Sequence, residues 1–289
     1  MTFKHILYET DGRVARITLN RPERLNAIAR GMPGEIAQAV DMANADDSIH
    51  AIVITGAGRA FCSGYDLKEF AEKKGANEGA QGTEQPWDPM ADFYLMYRNT
   101  QDFMALWRSY KPTIARVHGD AVAGGSDIAL CCDLVVMAEE ARIGYPPARV
   151  WGCPTPAMWV YRLGAEKAKR MLFTGDLVTG REAAEMGLVL EAAPAADLDG
   201  VVDRLLGRIA SVPRNQLMMH KLMINQALDS MGLTQTQMFA SLFDGVARHS
   251  PEGVWFKQRA EEAGFKQAVK ERDSGDPIAG GVSRPWRRF

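Results

Sequence analysis

The chain has 289 residues, of which 46% are hydrophobic and 24% charged, and its formal net charge is −2. This balance is typical of a globular protein with a sizeable core, and a strongly basic region that would indicate nucleic acid as a partner is missing. No apolar run reaches the roughly 20 residues of a membrane-spanning helix, and the N-terminal sequence lacks a signal-peptide pattern, so we expect no membrane association.

Four cysteines lie at positions 62, 131, 132 and 153, and no two of them form a Cys-x-x-Cys pair. The sequence also lacks a close His/Cys cluster of the kind that binds metal. This spacing predicts reduced thiols in a cytoplasmic protein, without a disulfide framework and without a metal site.

The N-terminal part of the chain alternates strand and helix signals. Apolar residues alternate over residues 3–9 and 13–19 around Asp11-Gly12, which predicts a hairpin. A helix is expected at about residues 31–45. The apolar run HAIVIT, residues 50–55, predicts a strand that is covered on both faces.

A glycine loop follows this strand in the segment GAGRAFCSGYDLKEF, residues 56–70. Its glycines do not have the spacing of the GxGxxG fingerprint, and no GK[ST] follows, so neither a dinucleotide site nor a P-loop is predicted. The segment instead predicts a loop with free backbone amides ahead of a helix that starts at Asp66.

A second loop of similar design lies in IARVHGDAVAGGSDIALCCDL, residues 114–134. A short strand at 114–117 leads to Gly124 and Gly125, whose missing Cβ atoms allow another group to approach the backbone. Ser126 and Asp127 are residues that favour a helix start. The free amides and the dipole of a first helical turn attract negative charge, so we expect this turn to hold an oxyanion. A glycine turn that serves packing alone is the alternative.

A helix is expected at 92–110, and strands at 134–138 and 141–144. From Pro154 onwards the sequence is mostly helical. Further helices are predicted at about residues 155–162, 165–172, 180–185, 196–211, 213–230, 234–248 and 251–263. The sequence therefore predicts an α/β core over residues 1–200. Residues 201–289 form a helical region whose extended tail, 273–289, lies on a surface.

Four segments, in this order, resemble the enoyl-CoA hydratase/isomerase family, also called the crotonase superfamily. They are RITLNRPERLNAI (16–28), RAFCSGYDLKEF (59–70), the 114–134 segment and MLFTGDLVTGREAAEMGLV (171–189). The resemblance extends over about residues 3–270.

The resemblance implies the crotonase-like (ClpP/crotonase) α/β fold, with repeated ββα units, two roughly perpendicular sheets and a helical C-terminal region. It also implies a homotrimer or a dimer of trimers, in which the C-terminal region takes part, and a coenzyme A thioester as substrate without a permanently bound cofactor. Two backbone amides, carried over to Ser63 and Gly124, would polarise the thioester carbonyl. Preorganised donors of this kind are most effective where negative charge develops.

The carboxylates depart from the family pattern. Family hydratases use two acids, and the first position is occupied here by Asp127 in place of the usual Glu. A helix cap is the alternative role for Asp127. The second acid is expected at Pro147, which cannot transfer a proton, and the sequence has no acid between Ala141 and Tyr161. The two-carboxylate hydration mechanism is therefore not supported by the sequence alone.

Several side chains are candidates for the substrate site. Tyr145 is a candidate proton donor and Arg149 a candidate electrophile or clamp, while Trp151 and Trp159 are candidates for the wall of the acyl pocket. The resemblance assigns coenzyme A binding to Arg24, Leu25, Ala27, Ala60, Gly64, Asp66 and Leu67. Lysines that could approach the phosphates are Lys257, Lys266 and Lys270.

The predicted function is that of an acyl-CoA enzyme with an oxyanion site, with enoyl-CoA hydration as the principal hypothesis. Because the second acid is missing from its expected position, two alternatives stay open. One is another reaction of the family, such as isomerisation, hydrolysis or decarboxylation. The other is an acyl-CoA-binding protein that has lost catalysis.

Overall fold

The computed structural model of the protein describes residues 3–72 and 87–274. Its strands are β1 (Ile6–Asp11), β2 (Val14–Leu19), β3 (Ala51–Gly56), β4 (Thr113–Val117), β5 (Ala121–Val122), β6 (Leu134–Ala138), β7 (Arg142–Gly144), β8 (Leu177–Thr179) and β9 (Glu191–Ala193). Its α-helices are α1 (Met32–Ala45), α2 (Pro89–Arg108), α3 (Gly124–Leu130), α4 (Met158–Thr174), α5 (Gly180–Glu185), α6 (Leu198–Ala210), α7 (Arg214–Ser230), α8 (Leu233–His249), α9 (Pro251–Ala263) and α10 (Phe265–Arg272).

Two sheets organise the first two thirds of the chain. The larger sheet has the order β1-β2-β3-β4-β6-β9, and the smaller one the order β5-β7-β8. In the larger sheet β1 and β2 form an antiparallel hairpin and every further pairing is parallel. Central strand β3 is buried along nearly its whole length, as expected for a parallel strand that is covered on both faces. The two predicted sheets are thus confirmed.

The C-terminal region is helical from α6 onwards. The predicted division after residue 200 falls inside α6, whose buried residues Val201, Val202 and Leu206 pack into the main core. Helix α8 packs along α2, and α9 and α10 pack against each other. The expected extended tail lies beyond residue 274, outside the described residues. No helix in the described part of the chain is long and apolar enough to cross a bilayer.

Most predicted elements match the structure to within a few residues. The two helices predicted at 155–162 and 165–172 are one element, α4, with a break at Gly164, where φ is +72°. The sequence analysis missed the short strands β5, β8 and β9 and the last helix, α10. These strands have two or three residues each, too few for a periodic hydrophobic signal.

The loop after β2 is held in place by one asparagine. Asn26 has no exposed surface and adopts a φ of +54°, a left-handed conformation that asparagine tolerates. Its side-chain Oδ1 accepts a hydrogen bond from the Arg21 amide at 2.9 Å, while Nδ2 donates to the carbonyls of Ala57 and Ala60 at 2.8 Å each. Asn26 therefore ties this loop to the glycine loop that follows β3.

We expect Asn26→Ala to lower the free energy of unfolding by about 2–4 kcal/mol, because it leaves buried polar groups unpaired. Urea denaturation followed by circular dichroism measures this change. The exposed Asn215 provides the control Asn215→Ala, for which we expect little change. Equal stability of the two variants would contradict the bridging role of Asn26.

Candidate active site

One large cavity, of about 1170 Å³, contains most of the predicted site residues. The glycine loop, the start of α3, the segment after β7, helix α8 and helix α10 contribute to its walls. The predicted residues among its lining are Arg24, Leu25, Ala27, Ala60, Ser63, Asp66, Leu67, Gly124, Asp127, Tyr145 and Trp151. The two glycine loops of the sequence thus belong to one site.

The glycine loop and the start of α3 are in direct backbone contact. Cys62 donates its amide to the Asp120 carbonyl at 3.1 Å and accepts from the Val122 amide at 2.9 Å. A Cβ atom on Gly125 would lie 2.7 Å from the Cys62 carbonyl carbon, which leaves room only for glycine. Gly64, with a φ of +89°, is similarly tight, since its Cβ would lie 2.8 Å from that of Ala123.

This packing brings two backbone amides to the cavity. Gly124 is the first residue of α3, so its amide has no acceptor within the helix. On the opposing loop the Asp66 amide donates to the Ile28 carbonyl at 3.1 Å. The Gly64 carbonyl accepts from the Ile28 amide at 2.9 Å, so the parallel bridge between Tyr65 and Ile28 leaves the amide of Tyr65 facing away from Ile28. No acceptor for it occurs among the described residues.

Ser63 requires a correction. It lines the cavity, but its amide donates to the Leu25 carbonyl at 3.1 Å and is therefore occupied within the fold. The amide of this loop that has no described acceptor belongs to Tyr65, two residues further along. The sequence alone could not identify it, because the choice depends on which loop amides bond to the segment Leu25–Ile28.

Asp127 lies in the first turn of α3 and is 4% exposed. It does not cap the helix, because the N-cap residue is Ala123 and no side chain caps this end. Burial, and then the negative charge of Asp244, raise the pKa of the Asp127 carboxyl well above its usual value of 3.8. No described cation offsets these effects, so the surroundings favour the protonated form of Asp127.

Tyr145 reaches the cavity from the end of β7. Its hydroxyl donates a hydrogen bond to the Cys153 carbonyl at 2.8 Å. Burial, followed by the charges of Asp127 and Asp244, raises the pKa of this hydroxyl well above 10.0. Tyr145 therefore stays neutral in the free protein, and its proton is directed at a backbone oxygen.

The structure does not bring Arg149 or Trp159 into the cavity. The Arg149 guanidinium donates to the Thr174 carbonyl at 2.6 Å and lies 3.3 Å from the Asp273 carboxylate. Trp159 is 1% exposed and belongs to the main core. Trp151 does line the cavity and packs on Phe256 with ring centroids 5.2 Å apart.

An acid that the sequence analysis missed also lines the cavity. Asp244, on α8, is 4% exposed, and its carboxylate is paired with Arg248 one turn later. Arg248 is paired in turn with Asp92 on α2, which accepts a hydrogen bond from Trp87 Nε1 at 3.1 Å. Burial opposes the charge of Arg248, but its two carboxylate partners outweigh burial and raise its pKa.

The sequence does contain a signal for this acid. Buried polar residues recur along one face of α8 at helical spacing, where apolar residues would be expected. They are Gln237, Ser241, Asp244 and Arg248. Buried charged groups are rare unless they are paired, so such a stripe indicates a polar site beneath the helix.

Exposed cationic side chains surround the opening of the cavity. They are Arg24, Arg59, Lys68, Arg142 and Lys266. The other two candidate lysines do not line the cavity. Lys257 is buried, where it donates to the Ala71 carbonyl at 2.7 Å and pairs with Glu261, and Lys270 lies exposed on α10.

Two further candidates for coenzyme A binding have roles within the fold. Asp66 pairs with Arg21 at 3.0 Å, and Gly64 contributes the tight approach to Ala123. Across residues 3–72 and 87–274 no group of three or more His, Cys, Asp or Glu side chains is arranged to hold a metal ion.

Comparisons with known proteins point to one family. The family model for enoyl-CoA hydratase/isomerase matches residues 9–261. A Rhizobium meliloti protein named "Probable enoyl-CoA hydratase" is 32% identical over 280 residues, which cover 92% of this chain and 99% of that protein.

Solved structures agree in fold. The enoyl-CoA hydratase of Mycobacterium smegmatis superimposes with a TM-score of 0.88 at 46% identity, over 94% of each chain. An enoyl-CoA hydratase/isomerase from Xanthobacter autotrophicus Py2 has a TM-score of 0.84 at 35% identity, over 96% of this chain and all of that one.

The raised pKa of Asp127 predicts that this carboxyl lowers the free energy of unfolding at neutral pH. The folded protein holds the Asp127 proton more tightly than the unfolded chain, so this carboxyl costs stability as pH rises above 3.8. Asn cannot ionise, and we therefore expect Asp127→Asn to raise the free energy of unfolding at pH 7 by about 1–2 kcal/mol.

Denaturant titrations from pH 3 to pH 8 measure this effect. The difference between Asp127→Asn and the wild type should vanish at the acid end, where both states are protonated. The exposed Asp41 provides the control Asp41→Asn, for which no pH-dependent gain is expected. A variant at Asp127 that is less stable than the wild type at pH 7 would contradict the assignment.

Proposed function

Because the chain belongs to the enoyl-CoA hydratase/isomerase family, we propose that it hydrates an α,β-unsaturated acyl-CoA thioester through an enolate-like oxyanion. The observation that carries this proposal is that Tyr65 and Gly124, whose amides have no described acceptor, line one cavity together with Asp127. The reaction adds water across the double bond next to the thioester, and negative charge develops on the thioester oxygen.

The two amides bind this oxygen. They are fixed by the fold, so they need no reorganisation when the charge forms. Removal of one such donor typically costs about 3–4 kcal/mol of transition-state stabilisation. The dipole of α3 adds a partial positive charge at the same point, since Gly124 is its first residue.

Asp127 delivers the proton that the enolate needs. Burial, without any described cation beside it, raises the pKa of this carboxyl and favours its protonated form. A buried carboxylic acid of raised pKa is suited to act as a general acid near its own operating pH. The product is a 3-hydroxyacyl-CoA whose new Cα proton comes from Asp127.

The exposed cationic side chains that line the cavity indicate a substrate with an anionic tail. Arg24, Arg59 and Lys266 lie exposed there and attract the phosphates of coenzyme A. The neighbouring backbone at Leu25, Ala27 and Ala60 lies in the same wall and is available to the adenine. The acyl group then extends inward, towards Tyr145 and Trp151.

We infer that the chain assembles as a homotrimer or a dimer of trimers through α7 and α8. These helices expose a set of large apolar side chains beyond what a monomer normally leaves in water. The set comprises Met219, Leu222, Met223, Ile224, Met231, Met238, Phe239, Phe243 and Val246.

We expect Met223→Glu/Phe239→Glu to dissociate this assembly, since charges on the apolar face oppose its burial. Light scattering coupled to gel filtration should give a mass of three or six chains for the wild type and of one for the variant. Phe173, on α4, has an exposed side chain, so Phe173→Glu is the control and should keep the wild-type mass. A monomeric wild type would contradict the inference.

The hydration reaction is tested with crotonyl-CoA, by following the loss of absorbance of the conjugated thioester. We expect turnover by the wild type and a fall in kcat of about 10²–10⁴-fold for Asp127→Asn, the range typical of a lost general acid. Affinity for butyryl-CoA should be unchanged, because the carboxamide fills the same space. Asp41→Asn again serves as the control.

Full activity of Asp127→Asn would remove Asp127 from the mechanism. A wild type that binds enoyl thioesters of several chain lengths without hydrating any of them would contradict the proposed reaction.

A further inference from the structure

We propose that Asp244, on α8, is the second acid–base residue of this site and activates the water that adds to the double bond. This role rests on the proposed hydration reaction. In the family pattern the second acid is expected at Pro147, where no proton can be transferred. The structure places a carboxylate from a distant helix in the same cavity.

Asp244 lies near the side chains of the cavity that we assign to the reaction. Its charge acts on Asp127, on Tyr65 and on Tyr145, which belong to three different segments of the wall. A Cβ atom on Gly152 would lie 2.8 Å from Asp244 Oδ1 and 3.6 Å from the Tyr145 hydroxyl. The carboxylate is therefore next to the segment that carries the family's missing acid.

Two hydrogen-bond donors hold the Asp244 carboxylate in place. Arg248 binds Oδ2, and the Cys153 amide donates to Oδ1 at 3.1 Å. A carboxylate has about four lone-pair positions, so these two bonds leave acceptor positions for a water molecule. Asp92 holds Arg248 from the opposite side, and both partners are almost fully buried.

The two acids of the cavity thus differ in their surroundings. Asp127 has no described cation beside it and burial raises its pKa, whereas Asp244 is paired with a guanidinium. One acid and one base on a single substrate are what the addition of water requires, because one proton is removed from water and one is given to carbon.

One catalytic cycle adds water to the double bond and conserves every proton. The Asp244 carboxylate takes a proton from water while the water oxygen bonds to the β-carbon of the enoyl thioester. The π electrons move to the thioester oxygen, which the Tyr65 and Gly124 amides bind. The enolate then takes the proton of Asp127 at its α-carbon. A proton returns from Asp244 to Asp127 through the cavity before the next cycle, so none is consumed.

The test compares Asp244→Asn with the triple variant Asp92→Asn/Asp244→Asn/Arg248→Met. Removal of one member of the buried Asp92–Arg248–Asp244 network is destabilising, whereas replacement of all its members is often neutral, so the triple variant separates folding from chemistry. We expect kcat for crotonyl-CoA to fall about 10²–10⁴-fold in both variants. The affinity for butyryl-CoA and the melting temperature of the triple variant should stay near the wild-type values.

A matched control is available at another buried pair. Asp133 binds Lys221 at 2.7 Å and does not line the cavity, so Asp133→Asn should lower stability and keep kcat. A triple variant at Asp92, Asp244 and Arg248 that retains wild-type kcat would overturn the assignment, even if Asp244→Asn alone is inactive. A wild type that binds thioesters but hydrates none overturns the hydration reaction itself, and with it this role, which distinguishes the two failures.

Discussion

The site depends on the close backbone contact between the glycine loop and the start of α3. Only glycine fits at positions 64 and 125, where an added Cβ would overlap the opposing segment. Because the glycine loop also exchanges hydrogen bonds through Cys62 with the chain just before α3, Tyr65 and Gly124 are held in the wall of one cavity before any ligand binds. Asn26 fixes the neighbouring loop on the other side. Preorganisation of this kind is the most effective source of electrostatic stabilisation for a developing oxyanion.

The cavity contains two buried carboxyl groups, of which only one has a cationic partner among the described residues. Burial without a neighbouring described cation raises the pKa of Asp127, while Asp244 is paired with Arg248. Burying an unpaired carboxyl costs stability, and this cost is typical of functional sites. The Asp92–Arg248–Asp244 chain also joins α2 to α8, so the same ion pairs that shape the chemistry hold the C-terminal helices against the core.

The sequence predicted the parts of the site that depend on local pattern. Gly124 and Asp127 follow from a strand, a glycine pair and a helix start within one segment, and the structure brings both to the cavity. The parts that depend on distant contacts were not predictable. The family resemblance points to the amide of Ser63 and not to that of Tyr65, because the hydrogen bond between the Ser63 amide and the Leu25 carbonyl is set by tertiary structure. Asp244 accepts a hydrogen bond from the amide of Cys153, which lies 91 residues away in the chain. In the sequence, only the polar residues at helical spacing along α8 indicate this acid.

The central claim is that the amides of Tyr65 and Gly124 receive the thioester oxygen, with Asp127 at the α-carbon. A crystal structure of the protein with bound butyryl-CoA, a saturated thioester that cannot be hydrated, tests it most directly. The account predicts the carbonyl oxygen within about 3.2 Å of both amide nitrogens, the distance of a hydrogen bond, and the Asp127 carboxyl next to the α-carbon. A carbonyl oxygen bound elsewhere, with either amide directed at water, would contradict it.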